Sequence, residues 1–155
     1  MSKGIRLKAL DHDDLTAISA CLQDAVIKVS DIAFIANSYR FAFVGNRFCW
    51  EDDSLTAVGK RARVACRFEN VLKTSSQNVP INLSNHILNL LSITSEETAD
   101  GTILIFLLFS GMVNIKLEVE CIEAFLEDIS VPWPTKNIPS HNGEPEEVSD
   151  ESFDA

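Results

Sequence analysis

Arg61-Ala62-Arg63-Val64-Ala65-Cys66-Arg67-Phe68 alternates between apolar and basic residues with a period of two. In an extended chain successive side chains point to opposite faces, so Val64, Cys66 and Phe68 share one face. Arg61, Arg63, Ala65 and Arg67 share the other. The stretch predicts a half-buried strand of an antiparallel sheet, apolar inward and basic outward.

The segments before it carry the same signature. Ile5, Leu7 and Ala9 alternate with Arg6 and Lys8, a short strand. Asp11 then offers an N-cap, with Asp13 and Asp14 suited to the positive end of a helix. Leu15, Ile18 and Leu22 at helical spacing predict an amphipathic helix over about residues 12–23. Ala25, Ile27 and Val29 alternate again. Ile32–Ala36 and Tyr39–Val44 flank the turn pair Asn37-Ser38 and read as a hairpin. Gly45-Asn46 is expected to break the second strand before Arg47–Trp50 resumes it, and Glu51–Gly59 is expected to be a polar loop.

Downstream, Val71-Leu72 extends the basic strand past a bend at Glu69-Asn70, and Thr74–Asn85 is expected to be a polar connection. Leu88–Thr94 fits either helix or strand, and Ile93-Thr94 with the hairpin downstream favours strand. Thr102–Phe109 is apolar almost throughout, the pattern of a strand buried on both faces. After Ser110-Gly111, Val113, Ile115, Leu117 and Val119 alternate with Asn114, Lys116, Glu118 and Glu120. Ile122, Phe125, Leu126 and Ile129 then fall at helical spacing and predict a C-terminal helix, stopped by Pro132 and Pro134, with Trp133 docking back on the body. The fold class is therefore α+β: a meandering antiparallel sheet or partial β-barrel, pleckstrin-homology-like, with an N-terminal helix and a C-terminal capping helix. Residues 1–136 are expected to form a single globular domain and 137–155 a disordered acidic tail. The last twelve residues hold six carboxylates and no basic residue.

Composition narrows the function. The 155-residue chain carries a formal net charge of −10, which disfavours general affinity for nucleic acid or anionic membranes. The longest apolar run, Ile103–Phe109, is far short of a membrane span. The first residues lack the apolar region of a signal peptide, so a cytoplasmic protein is expected. Cys21, Cys49, Cys66 and Cys121 are scattered, with no CxxC pair, and read as buried reduced thiols. His12, His86 and His141 are isolated, so no metal site is read. No Gly-rich phosphate loop and no nucleophile motif is present, so no cofactor and no catalytic residue are assigned. Asp11, Asp13 and Asp14 are read as a helix start before a cation site. Glu118, Glu120 and Glu123 are read as a solvated face before an acid–base pair, and Trp50 and Trp133 as buried anchors before binding aromatics.

LKALDHDDLTAISACLQDAVIKVSDIAF, NRFCWE, IKLEVECIEAFLEDI and the closing TKNIPSH resemble a small uncharacterised alphaproteobacterial family known only as a domain of unknown function. The resemblance covers about residues 5–141 and is most specific in Leu22–Val26 and Leu117–Glu123. It implies a bacterial cytoplasmic protein and carries over no site residue.

The leading functional expectation is a non-enzymatic protein-interaction or adaptor module, its partner another protein. The alternative is an anion- or nucleic-acid-binding module centred on Arg61, Arg63 and Arg67. Two blander readings of that basic face stand beside it. It is a solvent face guarding the sheet against edge pairing, or it receives the acidic tail, without which the net charge would be −4.

Overall fold

The strand that opens the argument is central, and the rest of the sheet is built outward from it. A computed structural model describes residues 4–50, 59–135 and 139. The expected loop therefore lies outside the described residues except at Gly59, and the expected tail except at Pro139.

The elements are β1 (Arg6–Ala9), α1 (His12–Leu22), β2 (Val26–Lys28), β3 (Ile32–Ile35), β4 (Arg40–Phe48), β5 (Gly59–Phe68), β6 (Val71–Gln77), β7 (Ile87–Glu97), β8 (Ile103–Phe109), β9 (Val113–Val119), β10 (Ala124–Asp128) and β11 (Trp133–Thr135). All strand pairs are antiparallel, in the order β1-β10-β5-β4-β2-β7-β8-β9-β6. β3 lies beside β4 and β11 beside β5. The sheet is open and the class is α+β.

β5 pairs with β4 on one side and with β10 and β11 on the other. It is an interior strand, so its arginines guard no edge. As its alternation predicts, Val64, Cys66 and Phe68 are buried, and Ala62 joins them. Val64, Cys66 and Phe68 join Phe41 and Phe43 of β4, Leu88 and Leu90 of β7, and Ile105, Leu107 and Leu117 of β8 and β9 in one contiguous cluster. The two ends of the sheet thus bury their apolar faces in a common core.

α1 starts where the sequence places it. Asp11 is extended and its carboxylate accepts the Asp14 N–H at 2.8 Å, while Asp14 accepts the Leu10 N–H at 3.0 Å. The first bond satisfies a backbone donor that the first helical turn leaves over, and the second ties down the residue before the cap. Leu15, Ile18 and Leu22 are buried where the helix packs on β7, β1 and β4, each side chain contributing about 1.5–3 kcal/mol of apolar burial.

Several expectations are corrected. The C-terminal helix is a strand: β10 pairs with β1 and β5, and Ala124 and Leu126 point inward at a period of two. Asp128 continues that inward row as a buried carboxylate, so the apolar pattern breaks where the strand does not. Ile122, Phe125, Leu126 and Ile129 then fit a helical stripe by coincidence. The closing helix was what pointed to a pleckstrin-homology-like arrangement, and no such helix exists among the described residues.

β4 runs unbroken through Gly45-Asn46; glycine stands there as the residue without a Cβ, since β2 passes so close that a Cβ at Gly45 would lie 2.8 Å from Ile27 Cγ1 and from the Val26 carbonyl oxygen. Thr74–Gln77, expected in a connection, continues β6 against β9. β8 is buried on one face only, with Leu108 exposed. Trp133 does dock on the body, as part of β11 against Arg61.

Candidate functional site

The three strand arginines do not form one open face. Arg61 is buried, 6% exposed, against the expectation of solvent. Its Nη1 donates to the Asp24 and Asn46 carbonyl oxygens at 3.3 and 3.2 Å, and its guanidinium carbon lies 5.7 Å from the centre of the Phe48 ring. Arg63 is half-buried, with Nη1 donating to Asn46 Oδ1 at 3.2 Å and Nη2 to Asp31 Oδ2 at 3.5 Å. Arg67 is exposed, its Nε donating to Glu69 Oε2 at 2.9 Å and its guanidinium 4.1 Å from the Phe125 ring centre. The signal for Arg61 burial lay outside its own strand, in the carbonyls of the β2 approach and of β4.

A residue that strand reasoning left out joins Arg67 instead. Arg40, at the start of β4, donates through Nε to both oxygens of Glu69, at 3.1 and 2.9 Å. Two guanidiniums therefore share one carboxylate at the mouth of a hollow of about 660 Å³. Asn70, with a left-handed backbone (φ 60°), closes the corner by donating to Glu123 Oε1 at 3.1 Å. Glu120 and Glu123 also line the hollow, so it holds three carboxylates against two guanidiniums.

β3 positions the other two hollows. Ile32 and Phe34 lie opposite the buried Phe43 and Phe41, on the inner side of the sheet, and line a groove of about 400 Å³ with Thr74, Ser76 and Ile115. Ala33 and Ile35 alternate to the outer side, where with Ala42, Ala65, Arg67 and Phe125 they line a second groove of about 400 Å³. The alanines form a low floor because Ala33 lies beside Ala42, and Ala65 beside Val44. Arg40, Arg67 and Phe125 belong to this groove and to the polar hollow alike. Phe34, Ile35, Tyr39 and Leu72 are exposed around them.

Elsewhere, the His12 Nδ1 hydrogen-bonds Ser95 Oγ, and its Nε2 lies 4.0 Å from Glu97 Oε1. A carboxylate, an imidazole and a hydroxyl in that order suit nucleophile activation; none of the three lines the hollows described above. Asp11 and Asp14 cap the helix. Glu118 lies 3.6 Å from the Lys73 amine.

Trp50 is 38% exposed where a buried anchor was expected, held by its indole N–H to the Gln23 carbonyl oxygen at 2.9 Å and by Phe48. Cys49 and Cys66 are buried, while Cys121 is exposed, contrary to expectation. Burial pushes the Cys66 thiol far above its ordinary range. No helix among the described residues is long and apolar enough to cross a membrane.

A family model described as a protein of unknown function, DUF2948, matches residues 5–141. No curated protein and no solved structure matches the chain.

Proposed function

The chain belongs to the DUF2948 family, of unknown function, and from that premise we propose that it is a non-enzymatic protein-interaction module whose recognition surface is centred on β3. One observation carries this reading: a single short strand is the shared wall of two grooves, and its exposed side chains are apolar. Exposed apolar residues grouped beside concave, partly polar surface are what protein partners bury. Arginine and aromatic side chains at the rim, here Arg40, Arg67, Phe125 and Tyr39, are the types that dominate such contacts. A bacterial, cytoplasmic and alphaproteobacterial setting belongs to the same reading.

The test is affinity capture from the native cells with the wild-type chain and with Ile35→Glu. A partner retained by the wild type and lost by the folded variant supports the reading. Equal recovery by both removes β3 from it.

A second reading has its own observation. Arg40 and Arg67 share Glu69, and through Nε alone, so that carboxylate does not use the Nη donors of these two lining residues, and they are the groups an anion would engage. This replaces the Arg61, Arg63 and Arg67 trio with Arg40 and Arg67. Anion binding must weaken steeply with salt, and Glu69→Gln should strengthen it, whereas an apolar protein contact should respond little to either.

A further inference from the structure

We infer that the gap between the open edges of β3 and β6 receives a short, uncharged, extended segment of a partner protein, added as a strand along β3. The inference rests on the interaction-module reading and names what that module would take.

β3 pairs only with β4, and β6 only with β9, among the described residues. Each therefore presents a free row of backbone donors and acceptors, the usual template for adding a strand. The two edges flank one groove, with Ile32 and Phe34 on one wall and Thr74, Ser75 and Ser76 on the other. They are fastened at both ends. The Val71 N–H donates to the Tyr39 carbonyl at 2.8 Å, and beyond the far end the Ser30 N–H donates to the Ser84 carbonyl at 2.9 Å.

Between these fastenings no pairing joins β3 and β6 among the described residues, and β6 carries a register shift between Val71 and Lys73, an irregularity of the kind that bends and twists an edge strand.

The size and chemistry of the gap define its occupant. One strand residue, at the ordinary rise and spacings of a sheet, fills on the order of 160 Å³. The groove of about 400 Å³ thus takes two to three residues, close to the four of β3. β6 starts at the Tyr39 end and passes Thr74 toward Ile32, so it runs opposite to β3. A strand added antiparallel to β3, the stronger pairing, lies parallel to β6. β3 then supplies the backbone hydrogen bonds and β6 the hydroxyl wall.

The floor is apolar, from Phe41 and Ile115, and the rim carries serine and threonine hydroxyls. No residue lining the groove is charged, so a charged side chain seated there would lose water and find no counter-ion. This charge match selects a segment that alternates apolar and small polar residues. It also disfavours the chain's own last twelve residues, with their six carboxylates.

The test uses the full chain and a capped hexapeptide of alternating threonine and valine, at millimolar concentration, read by amide chemical shifts and hydrogen exchange. Shifts at Ile32–Ile35 and Thr74–Ser76, with slowed exchange in β3, are expected. The same peptide N-methylated at its valines keeps its side chains but loses backbone donors, and should bind about tenfold more weakly. Thr74→Arg, a half-buried groove position, should weaken binding of the unmodified peptide by about tenfold.

Equal binding of both peptides, or no shift in either strand, overturns the inference. So does slow exchange of the β3 edge in the isolated chain, which means its own residues fill the gap. Protection that rises with protein concentration alone means a second copy fills it, and overturns it too. If the peptide leaves β3 untouched while Ile35→Glu still loses the captured partner, strand addition fails and the interaction module stands.

Discussion

Arg47 and Asp128 form a bidentate ion pair across the inner face of β5, with Nε 2.7 Å from Oδ1 and Nη2 2.7 Å from Oδ2. Their side chains are 1% and 2% exposed. Arg47 lies opposite Ala62 and Asp128 opposite Val64, so the small Ala62 side chain leaves room for the guanidinium to cross. Asp128 Oδ2 also accepts the Ile5 N–H at 3.0 Å, tying β1 into the same junction.

Breaking this pair should be costly and replacing it should not. Arg47→Met or Asp128→Asn alone leaves a buried group without its complement, an expected loss of about 3–5 kcal/mol in denaturant unfolding. The double variant Arg47→Met/Asp128→Leu should recover most of that loss. A double variant as unstable as the worse single one would show that the pair is irreplaceable.

Gly45→Ala should destabilise through contact with β2. The added Cβ meets the Val26 carbonyl oxygen at 2.8 Å, and backbone there has little freedom to retreat. An expected cost of about 1–3 kcal/mol is read as a lowered melting temperature. An unchanged value would mean that β2 is free to shift.

The two ends of the arginine strand should behave differently on truncation. Arg61→Ala removes a buried guanidinium from two carbonyls and the Phe48 ring and should cost about 2–4 kcal/mol. Arg67→Ala removes an exposed ion pair and a ring contact and should cost less than about 1 kcal/mol. Equal losses would contradict the difference in burial.

Cys66 gives a pH dependence with a definite sign. Its folded pKa is raised by burial, so the folded state keeps the proton that the unfolded chain releases above about pH 8.5. The contribution is complete below that value and is lost as pH rises, by about 1.4 kcal/mol per unit. The stability difference between wild type and Cys66→Ala should therefore shrink in alkali. A difference constant from pH 7 to pH 10 would contradict thiol burial.

Much of the scaffold was legible from side-chain alternation. β5, β9, the β3–β4 hairpin and α1 with its Asp11 cap each obey a local pattern that tertiary contacts leave intact. Three of the misread places share one physical cause, a contact with a segment distant along the chain. Asp128 broke an apolar row because Arg47, 81 residues away, neutralises it. Gly45 looked like a breaker because β2 lies against it. Arg61 looked solvated because its partners, Asp24 and Asn46, belong to other segments.

The candidate surface was half legible for the same reason. Arg67 was singled out by its strand, but Arg40 joins it only through the fold, on Glu69. The two grooves beside β3 depend on β6, β10 and the 79–84 segment coming together, which no local pattern encodes.

The most direct measurement of the recognition surface is site-specific photocrosslinking in the native cells. A benzophenone side chain is placed at position 35 on β3 or, as a control of matched exposure, at position 91 on β7; Ile35 is 44% and Leu91 42% exposed. A discrete crosslinked protein from position 35, with none from position 91, is the expected result. Crosslinks from position 91 alone would contradict a recognition surface centred on β3.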